Sequence, residues 1–296
     1  MSSSLAIDLP AITAALLATI ACGSLGNWLV LRKEAMTGDA IAHAVLPGLV
    51  AGFLVSGARS AVAMFIGAAL AGAAAVLLTT FVRRSTRLEA GAALGIVFTA
   101  FFALGVLLLE TQGARQVDLD PECVLFGSLE TLFYAAPQDG PWIAGVPREL
   151  WALAAAATLA LGLNIAFGKE LAAHAFDPIH ARLAGRAPLL VERALLAVVT
   201  AAIVASFTAV GSVLVLALLA CPALIAAPHA RSVRGQLALS LVIGGALAIG
   251  GYFLAAHAER LLGSRSALNA AGMIAALMAL AVPCSHALRA LVSRRA

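Results

Sequence analysis

The sequence predicts an all-α membrane protein, a polytopic transmembrane helical bundle of about nine spans (eight to nine, depending on how one long run divides). Three observations predict it. Of 296 residues, 62% are hydrophobic and 11% charged, whereas soluble domains run nearer ~45–50% apolar and ~25% charged, so this chain cannot dress a water-facing surface. Eight long stretches contain no Asp, Glu, Lys or Arg. The charges between those stretches sort by sign.

The charge-free stretches are 9–31, 40–58, 60–82, 90–109, 150–168, 194–228, 235–258 and 266–288. A hydrocarbon core of ~30 Å needs ~20 helical residues, so seven of them are of single-span size. The run 194–228 would make a helix of roughly 52 Å at ~1.5 Å per residue, too long for one pass. It holds Gly211 and Pro222. The expected division is at Val210–Ser212, into two passes or one pass and a re-entrant half-helix.

Loop charge orients the spans. Segment 110–149 carries seven of the fifteen acidic residues against only Arg115 and Arg148, and is assigned outside. Arg83, Arg84 and Arg87 then lie inside, as does 169–193 with Lys169, Arg182, Arg186 and Arg193. Two passes within 194–228 place Arg231, Arg234 and the tail with Arg289, Arg294 and Arg295 inside as well. Working backwards, Arg32 and Lys33 are inside and Asp8 outside. The expectation is one transmembrane domain over 1–296, with an outer loop at 110–149 and a cytoplasmic loop at 169–193.

Several functions are excluded or disfavoured. The 19 Lys and Arg are scattered without aromatic interleaving, so the net charge of +4 reflects span flanks and not nucleic acid. Cys22, Cys123, Cys221 and Cys284 are solitary, which signals neither a disulfide framework nor a zinc knuckle. No P-loop occurs; Phe167-Gly168-Lys169-Glu170 lacks the hydroxyl residue and the leading Gly. No H-E-x-x-H or G-x-S-x-G is present either.

Asp39 and His43 carry the chemistry. Four apart on a helix, they share one face with Cβ atoms ~6 Å apart. His43 lies in an apolar run, where an ionisable group is a functional candidate. Imidazole with carboxylate suits Zn²⁺, Mn²⁺ or Fe²⁺ better than Ca²⁺ or Mg²⁺. Two ligands do not complete a shell, and a two-fold dimer axis beside them would double the set. The plainer alternatives are an N-cap role for Asp39, after Gly38, and a packing role for His43. Asn27, Asn164 and Asn269 read as interhelical glue. Gly67, Ala71, Gly91 and Gly95, at i, i+4 spacing, read as close helix contacts or a dimer face.

Four blocks of sequence resemble the membrane permease subunit of bacterial ABC importers for manganese, zinc or iron (the ABC-3 type metal permeases). They are 26–48 (GNWLVLRKEAMTGDAIAHAVLPG), 117–130 (VDLDPECVLFGSLE), 169–185 (KELAAHAFDPIHARLAG) and 208–226 (TAVGSVLVLALLACPALIA). The resemblance implies a type II importer-like permease in the bacterial inner membrane. Its partners would be cytoplasmic ATPase subunits, an extracytoplasmic metal-binding protein, and a second permease copy or a paralogue. It implies no permanently bound cofactor: the metal is cargo, hydrolysis belongs to the partner, and this chain is no enzyme. The Asp and His of G-D-x-x-x-H map onto Asp39 and His43 as metal ligands. Phe176, Asp177, Pro178, His180, Ala181, Leu183 and Gly185 fall in the segment that docks on the ATPase.

The chain departs from the pattern after Tyr252, where it reads LLGSRSALNAAGM at 261–273 in place of a Pro-Gly element. Competing readings are a stand-alone secondary transporter, for which no internal repeat is found, and an ABC permease for siderophores or cobalamin, whose large ligands need no Asp–His pair.

Overall fold

The computed structural model describes residues 2–56, 61–86, 88–108, 127, 129, 132, 146–183, 188–262 and 268–293. Most of loop 110–149, with Asp118, Asp120, Glu122 and Cys123, lies outside the described residues, as does Gly185. Among the described residues there is no strand.

In chain order the helices are α1 (Ser2–Ala18), a π-helical turn (Thr19–Gly23), α2 (Ser24–Leu31), α3 (Ala35–Ser56), α4 (Ala61–Thr86) and α5 (Ala90–Leu108). After segment 110–147 come α6 (Arg148–Phe176), α7 (Pro178–Leu183), α8 (Pro188–Ala226), α9 (Val233–Leu262) and α10 (Ala270–Ser293). Among the described residues eight helical segments are long and apolar enough to cross a membrane, with Asp8–Leu31 and Leu190–Ala226 each counted as one. The windows of α3 and α8 are 67% buried against 22% for α4 and 17% for α5. The first two therefore form the centre and the latter the periphery.

The long run breaks where expected. Inside α8, Gly211 leaves helical geometry at φ 78°, ψ 165°. Side-chain contacts show which way the chain goes next. Glu192 meets Arg32 and Ser206 meets Cys22, so residue numbers rise along α8 as they fall along α2 and α1. A straight continuation would carry residues 218 and 219 towards the start of α1. Instead Leu218 and Leu219 lie against Gly23 and Gly26. The chain folds back after Gly211, and α8 supplies two limbs, so the described helices make eight spans with α8 counted once and nine with each limb counted as a pass.

Small residues set the closest approaches. Gly48 on α3 faces the Gly67 carbonyl and Ala71 of α4, and a Cβ on Gly26 would strike the Leu219 carbonyl. The expected role of Gly67 and Ala71 holds. Among the described residues, a Cβ on Gly91 would meet only Met36 Sδ at 4.0 Å, and one on Gly95 nothing within 4 Å.

Two asparagines behave as glue. Asn27 Nδ2 donates to Ser240 Oγ at 2.6 Å, joining α2 to α9. Trp28 Nε1 donates to Asn164 Oδ1 at 2.6 Å, joining α2 to α6. Asn269 does not: its Oδ1 accepts from the Gly272 N–H at 2.8 Å, which makes it the N-cap of α10. Near the start of α1, Tyr252 donates to Asp8 Oδ1 at 2.8 Å and clamps α9 to α1.

Candidate metal path and docking segment

Asp39 and His43 stand on α3. The helix begins at Ala35, so Asp39 is its fifth residue and not its N-cap. The first turn is tied instead by Thr37 N–H to the Glu34 carbonyl at 2.8 Å. The pair lies about 6 and 12 Å along the helix from its first residue. On the orientation read from loop charge, that is the inner half of the membrane.

His43 Nε2 lies 3.4 Å from Asp39 Oδ1. This is long for a hydrogen bond, which prefers ~2.7–3.2 Å. It matches the ~3.4 Å edge between two ligands each ~2.1 Å from a tetrahedrally coordinated ion. Asp39 is 46% exposed and His43 18%, so the pair opens to one side of the chain at the carboxylate. Among the described residues no third His, Cys, Asp or Glu joins them. Four residues beyond His43, Pro47 removes the N–H that would meet the His43 carbonyl in a regular helix.

The closed side of His43 is aromatic. Phe98 and Phe102, one turn apart on α5, meet the imidazole at centroid distances of 4.5 and 5.5 Å, at 69° and 89°. Both arrangements are T-shaped, the favoured geometry for ring pairs. Motif reading missed both residues, because their own segment is uniformly apolar and only α3–α5 packing selects them.

The segment before α8 is shorter as a loop than the expected 169–193. Residues 169–176 extend α6 and 188–193 already belong to α8. Helical periodicity simply runs through the charged flanks. Pro178 disfavours helical geometry at Asp177, which sits at φ −145°, ψ 84° and ends α6. The same proline then opens α7, where its missing N–H costs nothing.

Ile179 and Leu183 stand one turn apart on α7 and are 71% and 82% exposed, and Phe176, the last residue of α6, is 67% exposed. Asp177 is exposed beside them, whereas Ala181 is buried against the bundle. Pro178 and His180 lie on the same short helix. Ile179 escaped the sequence reading because in an apolar chain one more isoleucine carries no signal.

The sequence pattern of the ABC 3 transport family matches residues 5–282. The chain belongs to the ABC 3 transport family. It is 40% identical over 252 residues to the manganese transport system membrane protein MntD of Bacillus subtilis (strain 168), covering 82% of each chain. It is 32% identical over 273 residues to the zinc transport system membrane protein TroD of Treponema pallidum (strain Nichols), covering 91% of this chain and 72% of that one. The solved structure of PsaBC from Streptococcus pneumoniae in complex with Fab superposes with a TM-score of 0.77 at 26% identity, over 94% of this chain and 90% of that one.

Three of the blocks that resemble this ABC 3 family are brought together in space. Gly127 of block 117–130 lies against Val210 and Gly211 of block 208–226. Leu219, further along that block, also touches Gly26 and Gly38 of block 26–48. The contact at Gly38 stands next to Asp39.

Proposed function

We propose that this chain is the multi-pass permease subunit of an ATP-driven importer, which carries divalent transition-metal ions across the bacterial inner membrane. Membership of the ABC 3 family and identity to manganese and zinc transport membrane proteins support this reading. The single observation that ties it to chemistry is the 3.4 Å edge between His43 Nε2 and Asp39 Oδ1.

In this reading an extracytoplasmic metal-binding protein delivers Mn²⁺, Zn²⁺ or Fe²⁺ to the outer face. The ion passes the Asp39–His43 station and leaves on the inner side. Two ligands from one chain bind weakly, which suits a transient stop; a closed four-ligand shell would hold the ion. A second copy, or a paralogous permease, could complete the shell across the open side of Asp39. The ligand forms are carboxylate and neutral imidazole, so protons compete with the metal.

The cytoplasmic ATPase docks on the segment from Phe176 to Gly185, with Phe176, Ile179 and Leu183 as its apolar face. Hydrolysis belongs to that partner, because this chain has no phosphate-binding loop of its own.

Uptake of Mn²⁺ or Zn²⁺ into vesicles holding the permease with its ATPase tests the assignment. Asp39→Ala and His43→Ala are each expected to abolish uptake while leaving the complex assembled. Wild-type uptake by both variants, at normal expression, would sink it. Proton-coupled uptake by the chain without any ATPase would point to a secondary transporter instead.

A further inference from the structure

At the inner end of the bundle one guanidinium is shared between two helices. Arg32, only 12% exposed, places Nε 3.1 Å from Glu34 Oε2 and Nη2 3.5 Å from Glu192 Oε1. Nη2 also lies 3.4 Å from Glu34 Oε1. Arginine stays charged in proteins and its planar fork can hold two carboxylates at once. The guanidinium is the sheltered member, while the Glu34 and Glu192 side chains are 41% and 40% exposed.

The two carboxylates belong to different mechanical parts. Glu34 directly precedes α3, five residues before Asp39. Glu192 lies in the second turn of α8, nine residues after the end of the docking helix α7. The neighbours of Glu192 on α8, Val191 and Leu195, are buried in the same core as Leu29 and Ile41. The turn that bears Arg32 is also stiff. Lys33 N–H donates to the Val30 carbonyl at 3.0 Å and Glu34 N–H to the Leu29 carbonyl at 2.8 Å, the paired bonds of a Schellman stop.

We propose that Arg32 is a positioning residue that links the ATPase-docking segment to the metal-bearing helix. A shift of α7 moves the start of α8. Glu192 carries that shift to Arg32, and the stiff turn passes it to α3 and Asp39. The inference rests on the docking role given above to the segment 176–185. It adds the route by which docking reaches the ion.

The test uses the assembled permease–ATPase complex in vesicles, with Mn²⁺ as the probe, and reads ATP hydrolysed per ion taken up. Glu192→Gln keeps the Arg32–Glu34 pair and hence the fold of the turn. It is expected to raise ATP consumed per ion by about two- to thirty-fold, the range of coupling that single network residues carry. Arg32→Glu should uncouple further, and adding Glu192→Arg to it should restore part of the coupling. An unchanged ratio in Glu192→Gln, or a double variant no better than Arg32→Glu, overturns the proposal. If Arg32→Glu does not assemble, the ratio in Glu192→Gln decides alone. Ile179→Asp serves as the separate check on docking: an ATPase that still binds and transports with that variant overturns both the docking role and the inference.

Discussion

Gly127 and Gly211 meet backbone to backbone, each with positive φ, 73° and 78°. A Cβ on Gly127 would overlap the Val210 carbonyl and the Gly211 nitrogen. Gly211, with ψ 165°, occupies a region open in practice only to glycine. Gly127 thus rests on the apex of the α8 fold-back, at a contact that tolerates no side chain.

Gly127→Ala and Gly211→Ala are each expected to cost about 1–3 kcal/mol, from strain and overlap together. Thermal unfolding in detergent reads the loss directly. Gly168→Ala is the control, since nothing lies near its Cβ position.

Phe98 holds the His43 ring at 4.5 Å. Such ring pairs contribute ~0.5–1.5 kcal/mol, so Phe98→Leu should lower metal uptake by roughly two- to twelve-fold at normal expression. Titration of metal by the purified permease should show weaker binding in the same proportion. Unaltered uptake and binding would mean that the imidazole needs no aromatic support.

Gly26 lets α2 reach the Leu219 backbone on the second limb of α8. Gly26→Ala must push the two apart, and overpacking of this kind costs ~1–3 kcal/mol. The expected outcome is a lower unfolding midpoint together with poorer uptake, because Leu219 also touches Gly38, next to Asp39.

Lys33 occupies the left-handed position of its turn at φ 59°. An L-residue pays ~1–2 kcal/mol there, and glycine gives back ~0.5–1 kcal/mol in chain entropy. Lys33→Gly should therefore stabilise the protein by about 0.5–1 kcal/mol. A fall in the unfolding midpoint would show that the lysine side chain holds something the backbone argument omits.

Much of this architecture is legible in the amino-acid sequence. The spans follow from runs without charge, and the break at Gly211 follows from a run too long for one pass with a glycine inside it. The Asp39–His43 face follows from i, i+4 spacing. Other features are not legible there. Helix ends at 35, 176 and 188 run past the charge boundaries, because charged flanks remain helical in the interface. Asn269 reads like Asn27 in sequence, yet one caps a helix and the other bridges two.

What the sequence by itself determined is the membrane architecture and the identity of the exceptional Asp and His. A bilayer acts on each segment separately: every backbone group must be satisfied within its own helix, and every charge must reach a surface. Only the tertiary structure decided that Phe98 and Phe102 close over His43, that Gly127 seals Gly211, and that Arg32 joins Glu34 to Glu192. Those partners sit far apart in the chain, in segments of nearly uniform apolar composition. What selects them is close packing between helices, which leaves no periodic trace in any one of them.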